Sequence, residues 1–379
     1  MEKFEQLGSY VSGTGKTAVP FRPFLEKELI RKLEEKRVGR NFLLEDRSLI
    51  NTSGSSKKFR LENAAFYAIT AFTEGSDLPA LTSIGFTETE FIPTGFGGYE
   101  EISGQALINA DVPMMKEIIR RIANGMARLE DRRIWGAILN RTEVKGESIG
   151  TGDASTKTFS LAKSKILGGI EGGITGAPTG YMDVVGITDS NGTTDLGTLG
   201  TDYFVDYADG KVYFAVAPPT ATAISAYYAY TDRNIVDATT KGSISYNDLI
   251  SAQTALVGKY AELSDFVFQQ TANADLLKDT AYREILKAGI ETPKKGAVGN
   301  VLGGNVWVTQ QLANKLAIAL QKDGLGRYLM KEDVTTKIED IAKRAGDKRV
   351  NAWINSIPCI LNSDLVVVVL NGQIGATDA

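Results

Sequence analysis

The chain has 379 residues, of which 43% are apolar and 23% are charged, and its net charge at pH 7 is −4. Such a composition is ordinary for a globular protein, and the length allows two or three domains. The sequence contains no histidine and one cysteine, Cys359. A Ser-His-Asp triad, a Cys-His pair, a histidine-ligated zinc ion and a disulfide within the chain are therefore impossible.

Charge and hydropathy exclude two further classes. The sequence has no basic tail, whereas binding of nucleic acid through phosphates requires clustered positive charge. There is no run of about 18 apolar residues, so no membrane span is predicted. The segment Met1–Tyr10 lacks the basic and then apolar pattern of a secretory signal. Cys359 lies in an apolar run, which favours a buried thiol over a reactive one.

The N-terminal region predicts an arm. Residues 1–20 are rich in Gly, Ser and Thr, and this composition indicates a flexible start. A helix is predicted over residues 24–38, because apolar residues recur there at helical spacing. These residues are Leu25, Leu29, Ile30 and Leu33. Two interpretations stay open, a surface helix that covers the chain's own core and an arm helix that packs on a neighbouring subunit.

Residues 56–100 predict a hairpin or a long β-loop. The predicted strands are Phe59–Leu61, Ala68–Phe72 and Phe86–Phe91. Gly and Pro residues punctuate the segment, and Glu74–Pro79 has the composition of a turn.

A long helix is the strongest local signal. Asp111 is the predicted N-cap, and Pro113 lies in the first turn, where a missing N–H costs nothing. Continuous to Leu139, the helix would be roughly 40 Å long. Its predicted apolar face consists of Met115, Ile118, Ile119, Ile122, Ala123, Met126, Leu129, Ile134 and Ile138, and its charged face of Lys116, Arg120, Arg121, Arg128 and Arg132. Gly125 in the middle predicts the close approach of another backbone.

Residues 148–232 predict a separate module, because they are rich in Gly and Thr and poor in helix signals. Apolar residues alternate with polar ones on both sides of the turn Asp209-Gly210, and this is typical of a hairpin. The alternating positions are Tyr203, Val205, Tyr207, Val212, Phe214, Val216, Ile224, Ala226, Tyr228 and Tyr230. Several short strands of this kind indicate a small β-sandwich, inserted between two helical regions.

Residues 244–371 predict a sheet flanked by helices, and thus an α+β chain. Ser245 is a predicted N-cap. Strands are predicted at Asp265–Phe268, Val306–Val308, Val350–Leu361 and Leu365–Leu370. Helices are predicted after Ser245, through Leu276, Leu277, Ile285 and Leu286, and from Leu312 to Leu320.

Three motifs suggest ligand sites and are better explained otherwise. Gly13–Thr17 resembles part of a phosphate-binding loop, but Tyr10 occupies the position of its first glycine. The glycine cluster at Gly168–Gly176 indicates a flexible loop. Asp202, Asp206 and Asp209 lack the spacing of a calcium-binding loop. No catalytic, cofactor-binding or metal-binding residue is predicted.

The order of segments resembles the major capsid proteins of tailed viruses with the Hong Kong 97-like fold, over roughly residues 20–147 and 233–371. The segments that carry this resemblance are Phe72–Gly75, Phe86–Phe91, Ile102–Leu107, Ala123–Asp131, Ile244–Ile250, Phe266–Gln269, Ala274–Asp279 and Leu302–Val308. Their order is more informative than any one of them. Some members of the family crosslink Lys to Asn between subunits, but neither Lys57 nor Lys58 matches a crosslinking position.

The resemblance implies an α+β, Hong Kong 97-like fold with an N-terminal arm, an extended β-loop, a long spine helix, peripheral and axial domains, and an inserted small β-sandwich. The expected segments are the arm at 1–45, the extended loop at 46–100, the spine helix and peripheral domain at 101–147, the inserted domain at 148–232, the axial domain with returning peripheral strands at 233–371, and a tail at 372–379.

The implied function is structural. Copies of the chain would form hexamers and pentamers of an icosahedral shell, the virion capsid, which assembles in the host cytoplasm and encloses dsDNA without sequence-specific binding. Implied partners are a portal, a separate scaffold or protease, and decoration proteins, with no cofactor, no membrane and no enzymatic activity. The alternative is a cellular nanocompartment shell of the encapsulin type. The residues expected at subunit interfaces are Leu25, Leu29, Ile30, Leu33, Phe66, Tyr67, Phe72, Glu74, Arg120, Arg128 and Arg132.

Overall fold

A computed structural model describes most of the chain. The described residues are 37–62, 86–103, 114–167, 186–189, 202–238, 243–288, 299–309, 311–312, 316–340 and 348–370. They fall into two compact units. The first contains residues 43–127 and 326–362, and the second contains residues 37–42, 128–325 and 363–379. The arm helix predicted over residues 24–38 lies almost entirely outside the described residues.

The first unit contains a four-stranded sheet of order β1-β17-β18-β4. Its strands are β1 (Leu44–Asp46), β4 (Thr94–Ile102), β17 (Gly326–Asp340) and β18 (Lys348–Ile360). Strands β17 and β18 form a long antiparallel ribbon, and β1 pairs with β17 in parallel. One face is buried through residues such as Val350, Ala352 and Ile354, which alternate with more exposed neighbours along β18.

A second, two-stranded sheet in this unit is the predicted hairpin. It consists of β2 (Lys57–Glu62) and β3 (Phe86–Phe91), in antiparallel register from Lys57 opposite Phe91 to Glu62 opposite Phe86. Two of its predicted strands, Phe59–Leu61 and Phe86–Phe91, are therefore confirmed. The predicted strand Ala68–Phe72 and the predicted turn Glu74–Pro79 lie outside the described residues.

The predicted long helix is α1, Met114–Ile138, with 25 residues. Its buried positions include Ile118, Ala123, Met126, Ala127, Ile134, Trp135 and Ile138. Two details of the sequence interpretation are wrong. Leu129 is 36% exposed and not on the buried face. A Cβ placed on Gly125 would meet no described atom within 4 Å, so no close backbone approach there explains this glycine.

The second unit contains the predicted β-sandwich. One sheet consists of β5 (Thr142–Thr151), β11 (Ala223–Tyr230), β7 (Ile166–Leu167) and β8 (Gly186–Asp189), and the other of β6 (Thr158–Ser160), β10 (Lys211–Phe214) and β9 (Tyr203–Asp206). Both sheets contribute to one buried cluster of Phe159, Leu161, Ile166, Tyr203, Val205, Val212, Phe214, Ile224, Ala226 and Tyr228. The turn between β9 and β10 places Gly210 at φ +69°, a conformation that favours glycine. Val216 is not part of the alternation, since β10 ends at Phe214 and Val216 is 79% exposed.

The second unit also contains a six-stranded mixed sheet of order β12-β19-β16-β13-β15-β14. Its strands are β12 (Asn234–Asp237), β13 (Asp265–Gln269), β14 (Gly299–Val301), β15 (Gly304–Thr309), β16 (Ala317–Leu320) and β19 (Val366–Leu370). The central strands are buried on both faces, as in Phe266–Phe268 and Val366–Val369, which are all 0% exposed. Helix α2 (Tyr246–Val257) follows Ser245, the predicted N-cap, whose backbone N–H donates to Asp248 Oδ2 at 2.8 Å.

Two predicted helices of this region are wrong. Residues 317–320 form strand β16 and not the end of a helix from Leu312, because a short apolar run that is buried all round has the same pattern in either structure. The helix predicted through residues 276–286 is two helices, α3 (Gln270–Leu276) and α4 (Thr280–Ala288). Asp279 separates them, since its carboxylate accepts the backbone N–H of Ala281 and thereby starts a new helix.

The two ends of the β-sandwich meet at the C-terminus of α1. The last carbonyls of a helix have no partner within the helix. Here Arg233 Nε donates to the carbonyl of Ile138 at 2.7 Å, and the hydroxyl of Thr231 donates to the carbonyl of Leu139. Asn140 Nδ2 donates to Asp232 Oδ2 at 3.0 Å. The chain therefore leaves α1, builds the sandwich and returns to within hydrogen-bonding distance of where it left.

Helix α1 allows a matched test of its buried face. Replacing Ile134, which is 0% exposed, with Ala removes apolar contacts and leaves a cavity, so we expect a loss of about 2–5 kcal/mol in the free energy of unfolding. The matched control Leu129→Ala, at an exposed position, should cost less than about 1 kcal/mol. Urea unfolding followed by circular dichroism gives both values. Equal losses would contradict the orientation of the helix.

The sandwich allows a test by excision. Thr142 pairs with Tyr230, so their Cα atoms are about 5 Å apart and a four-residue Gly/Ser linker can replace residues 143–229. We expect this variant to fold and to retain α1, because Thr231 and Arg233 still close the helix. Replacing residues 143–233 should lower the melting temperature markedly, since both partners are then lost. Equal melting temperatures would contradict the capping role, and failure of the first variant to fold would make the sandwich part of the core.

Candidate assembly surfaces

Most of the predicted interface residues lie outside the described residues. They are Leu25, Leu29, Ile30 and Leu33 of the arm, and Phe66, Tyr67, Phe72 and Glu74 of the extended loop. Their assignment to subunit interfaces stays a prediction. The three remaining candidates, Arg120, Arg128 and Arg132, are all on α1.

The three arginines differ in their surroundings. Arg120 is 59% exposed and donates to Glu117 Oε1 at 2.6 Å, one turn earlier on the helix. Such an exposed pair contributes little to stability, so Arg120 is free to exchange this partner for another. Arg128 is exposed and Arg132 is half-buried. The Nε of Arg132 is shielded from solvent and has no hydrogen-bond acceptor among the described residues.

The base of the β2–β3 hairpin contains a buried ion pair that the sequence interpretation missed. Lys57 Nζ lies 2.6 Å from Asp46 Oδ2 and 2.7 Å from Ser48 Oγ, and Arg327 approaches the same carboxylate at 3.4 Å. The Asp46 side chain is only 5% exposed. Burial by itself raises the pKa of this carboxyl, but the hydrogen bonds from Lys57 and Ser48 and the charge of Lys57 hold the pKa well below its ordinary value.

Aromatic rings complete the base of the hairpin. Phe59 and Phe91 contact each other edge to face at 5.9 Å between ring centroids. Lys57 Nζ lies 5.2 Å from the centroid of Phe59. Both rings pack against the buried side chains Leu49, Leu329 and Cys359. Cys359 is 0% exposed and burial raises the pKa of its thiol to about 12, which fits the buried thiol that the sequence indicates.

A tyrosine and an arginine form a pair at the surface of β4 and β18. Tyr99 is 63% exposed, and the guanidinium of Arg349 lies 4.5 Å from the centroid of its ring. Arg349 also forms an ion pair with Glu101. Gly97 in β4 has no room for a side chain, because a Cβ there would lie 2.2 Å from the carbonyl oxygen of Ala352. Exposed tyrosine and arginine side chains are enriched at protein interfaces, so this surface is a candidate for contact between subunits.

A second buried polar cluster joins residues 37–42 to α1. The carboxylate of Asp131 accepts the backbone N–H of Val38 at 3.1 Å and that of Gly39 at 2.9 Å. Glu130 forms ion pairs with Arg37 at 3.4 Å and with Arg40 at 3.8 Å. Phe42 then packs against Trp135 and Trp307 at about 5.5 Å between ring centroids. These contacts join residues 37–42 to α1 and to the mixed sheet.

Two classes of site find no support in the described part of the chain. No group of three or more Asp, Glu or Cys residues there is arranged to hold a metal ion. None of the described helices is long and apolar enough to cross a membrane.

Part of the chain is similar to a known protein family. Residues 87–242 match the model of a family described as phage capsid protein. The matched segment runs from β3 through β4, α1 and the sandwich to just beyond β12, and it includes Tyr99 and all three candidate arginines. The match covers less than half of the chain, and over this segment the chain is similar to phage capsid proteins. The described elements confirm the α+β class and follow the order that the resemblance implies, namely hairpin, long helix, inserted β-sandwich and mixed sheet.

Comparison with solved structures gives distant likenesses. The virus-like particle of Pyrococcus furiosus is 12% identical, with a TM-score of 0.45 and coverage of 92% of this chain and 99% of that chain. The capsid of Ralstonia phage GP4 is 12% identical, with a TM-score of 0.48 and coverage of 90% and 92%. The SrpI encapsulin of Synechococcus elongatus is 9% identical, with a TM-score of 0.45 and coverage of 89% and 88%. No curated protein matches the sequence significantly.

The buried carboxyl of Asp131 predicts a pH dependence of stability. Burial raises its pKa from 3.8 to about 6, although the N–H groups of Val38 and Gly39 act in the opposite direction. The folded protein then binds a proton between about pH 6 and pH 4 that the unfolded chain does not bind. This contribution to stability is fully present below about pH 4 and is lost as the pH rises through 6.

The measurement is urea unfolding of the wild type and of Asp131→Asn from pH 4.5 to pH 7.5. The stability of the wild type relative to the variant should fall as the pH rises, by up to about 3 kcal/mol, since one pKa unit corresponds to about 1.4 kcal/mol. The exposed Asp323→Asn serves as the matched control and should give no such difference. Parallel curves for the wild type and Asp131→Asn would contradict the prediction.

Proposed function

We propose that the chain is a major capsid protein whose copies assemble as hexamers and pentamers into an icosahedral shell around packaged dsDNA. The observation that carries the proposal is the match of residues 87–242 to the phage capsid protein family. The role is structural and not enzymatic, and the place of action is the virion capsid after assembly in the host cytoplasm.

The described surfaces support contact between copies. The chain places a tyrosine and an arginine at the surface of β4 and β18, and it holds Arg120 of α1 in an exposed ion pair with Glu117. Individual contacts of this kind are weak, but a closed symmetric lattice repeats each of them many times. A subunit of this design can remain unassembled when dilute and still form a stable shell.

The domain divisions and the partners are part of the same proposal. Residues 1–45 would form the arm, 46–100 the extended-loop region, 101–147 the spine helix and peripheral domain, 148–232 the inserted domain, 233–371 the axial domain with returning strands, and 372–379 the tail. A portal, a separate scaffold or protease, and decoration proteins would be the partners, and the enclosed DNA would be held without sequence-specific contacts.

Assembly of purified protein tests the proposal. We expect the full chain to form closed shells in negative-stain microscopy, with scaffold supplied if it is required. A variant that lacks residues 1–36 keeps the contacts of Val38 and Gly39 with Asp131, so it should fold normally by circular dichroism. Closed shells of this variant should nevertheless become rare, because burial of an apolar side chain on a neighbour is worth about 1.5–3 kcal/mol.

Two outcomes would count against the proposal. A full chain that stays monomeric in light scattering across salt and protein concentration contradicts the capsid function. A truncated chain that assembles as efficiently as the full chain contradicts the role of the arm alone.

A further inference from the structure

Few contacts fix the orientation of the β2–β3 hairpin relative to the four-stranded sheet. Among the described strands, β2 and β3 pair only with each other and not with the four-stranded sheet. A two-stranded hairpin is marginally stable in water by itself. Its direction relative to the sheet therefore depends on its two chain connections and on the side chains at its base.

The two connections differ in how tightly they constrain the hairpin. Only Ile92 and Pro93 separate β3 from β4, and Pro93 is buried. On the other side, residues 47–56 separate β1 from β2, and most of them are exposed. The β2 strand thus needs an anchor of its own, and its first residue is Lys57.

The anchor available at that point is Asp46, the last residue of β1. Strand β1 is held by parallel pairing with β17, in which Asp46 lies opposite Leu329. The carboxylate of Asp46 receives Lys57 from the hairpin, Ser48 from the connecting loop and Arg327 from β17. One buried group therefore joins the hairpin to the sheet.

The apolar contacts at the base cannot replace this function. Burial of Phe59 and Phe91 is favourable in many orientations, because the hydrophobic effect has no direction. A charged hydrogen bond at 2.6 Å fixes the position of Lys57 much more narrowly. The ion pair thus selects one orientation of the hairpin from those that bury its aromatic rings.

We propose that Asp46 is a positioning residue for shell assembly, which sets the direction of the β2–β3 hairpin through its buried contact with Lys57. This inference rests on the proposed capsid function. The hairpin then has a fixed orientation before it contacts a neighbouring copy. Loss of the ion pair should therefore affect the geometry of the shell more than the folding of the subunit.

The test uses the full chain and a double variant, Asp46→Asn with Lys57→Met, which removes both charges and leaves neither unpaired in a buried place. Hydrogen exchange followed by mass spectrometry reports on peptides that cover 57–62 and 86–91. Negative-stain microscopy reports the yield and the diameters of closed shells. We expect at least tenfold faster exchange in the hairpin, unchanged exchange in β13 and β16, and at least tenfold fewer closed shells.

Three further variants separate positioning from general stability. Arg60→Met removes an exposed ion pair with Glu88 in the same hairpin and should change neither measurement. Val350→Ala weakens the buried face of the sheet and should lower the melting temperature while leaving exchange in the hairpin and shell yield close to the wild type. Lys57→Arg, with Asp46 unchanged, keeps the positive charge. The shell yield of this variant should therefore stay close to that of the wild type, unlike that of the double variant.

The outcomes are distinct. Unchanged exchange in the hairpin of the double variant would overturn the anchoring role of Asp46. Faster exchange together with wild-type yield and diameter of shells would overturn its role in assembly. If the wild type forms no shells, the capsid function fails, and hydrogen exchange in the unassembled subunit still decides whether Asp46 anchors the hairpin.

Discussion

The second unit depends on the hydrogen bonds that Thr231 and Arg233 make to the last carbonyl groups of α1. A helix that ends inside a protein leaves carbonyl groups that must find donors. Thr231 and Arg233 supply these donors from a part of the chain more than ninety residues later, with Arg233 bonded to the carbonyls of Ile138 and Ala137. The positive guanidinium also suits the negative end of the helix dipole. At this one place the long helix ends, the β-sandwich begins and returns, and β12 enters the mixed sheet.

Two buried aspartates show how partners decide the behaviour of the same side chain. Asp46 receives the ammonium group of Lys57 and the backbone N–H of Ser48, and its pKa lies well below the ordinary value. Asp131 receives mainly backbone N–H groups beside the carboxylate of Glu130, and burial prevails so that its pKa rises to about 6. Both residues join a short segment of the N-terminal third to an element far away in sequence. The carboxylate of Asp46 stays ionised at physiological pH, whereas the carboxyl group of Asp131 takes up a proton in mild acid.

The sequence was informative where structure is local. The alternation around Asp209-Gly210 predicted a hairpin, the period of α1 predicted its buried residues Ile134 and Ile138, and Ser245 predicted the start of α2. It was misleading for Ala317–Leu320, because complete burial erases the periodicity that separates strand from helix. Strand β17 was missed altogether: its polar half, Glu332–Asp340, is a strand because β18 pairs with it.

The candidate site was harder to predict for a related reason. Asp46 and Arg327 are 281 positions apart, and Val38 and Asp131 are 93 apart, so no spacing rule connects them. Such pairs exist only after the sheet and the helix have formed. The order of segments nevertheless pointed to a capsid protein, because that order is a property of the whole chain and does not depend on individual contacts.

A shell subunit has to satisfy two requirements that conflict. It must fold alone, which favours the burial of apolar side chains, and it must keep surfaces that bind neighbours only when many copies are present. This chain separates the two in space. Apolar residues fill the mixed sheet and the sandwich, while Tyr99 with Arg349 and Arg120 with Glu117 form pairs at the surface that water weakens. In the role proposed for Asp46, its buried ion pair with Lys57 contributes by holding the β2–β3 hairpin in one direction.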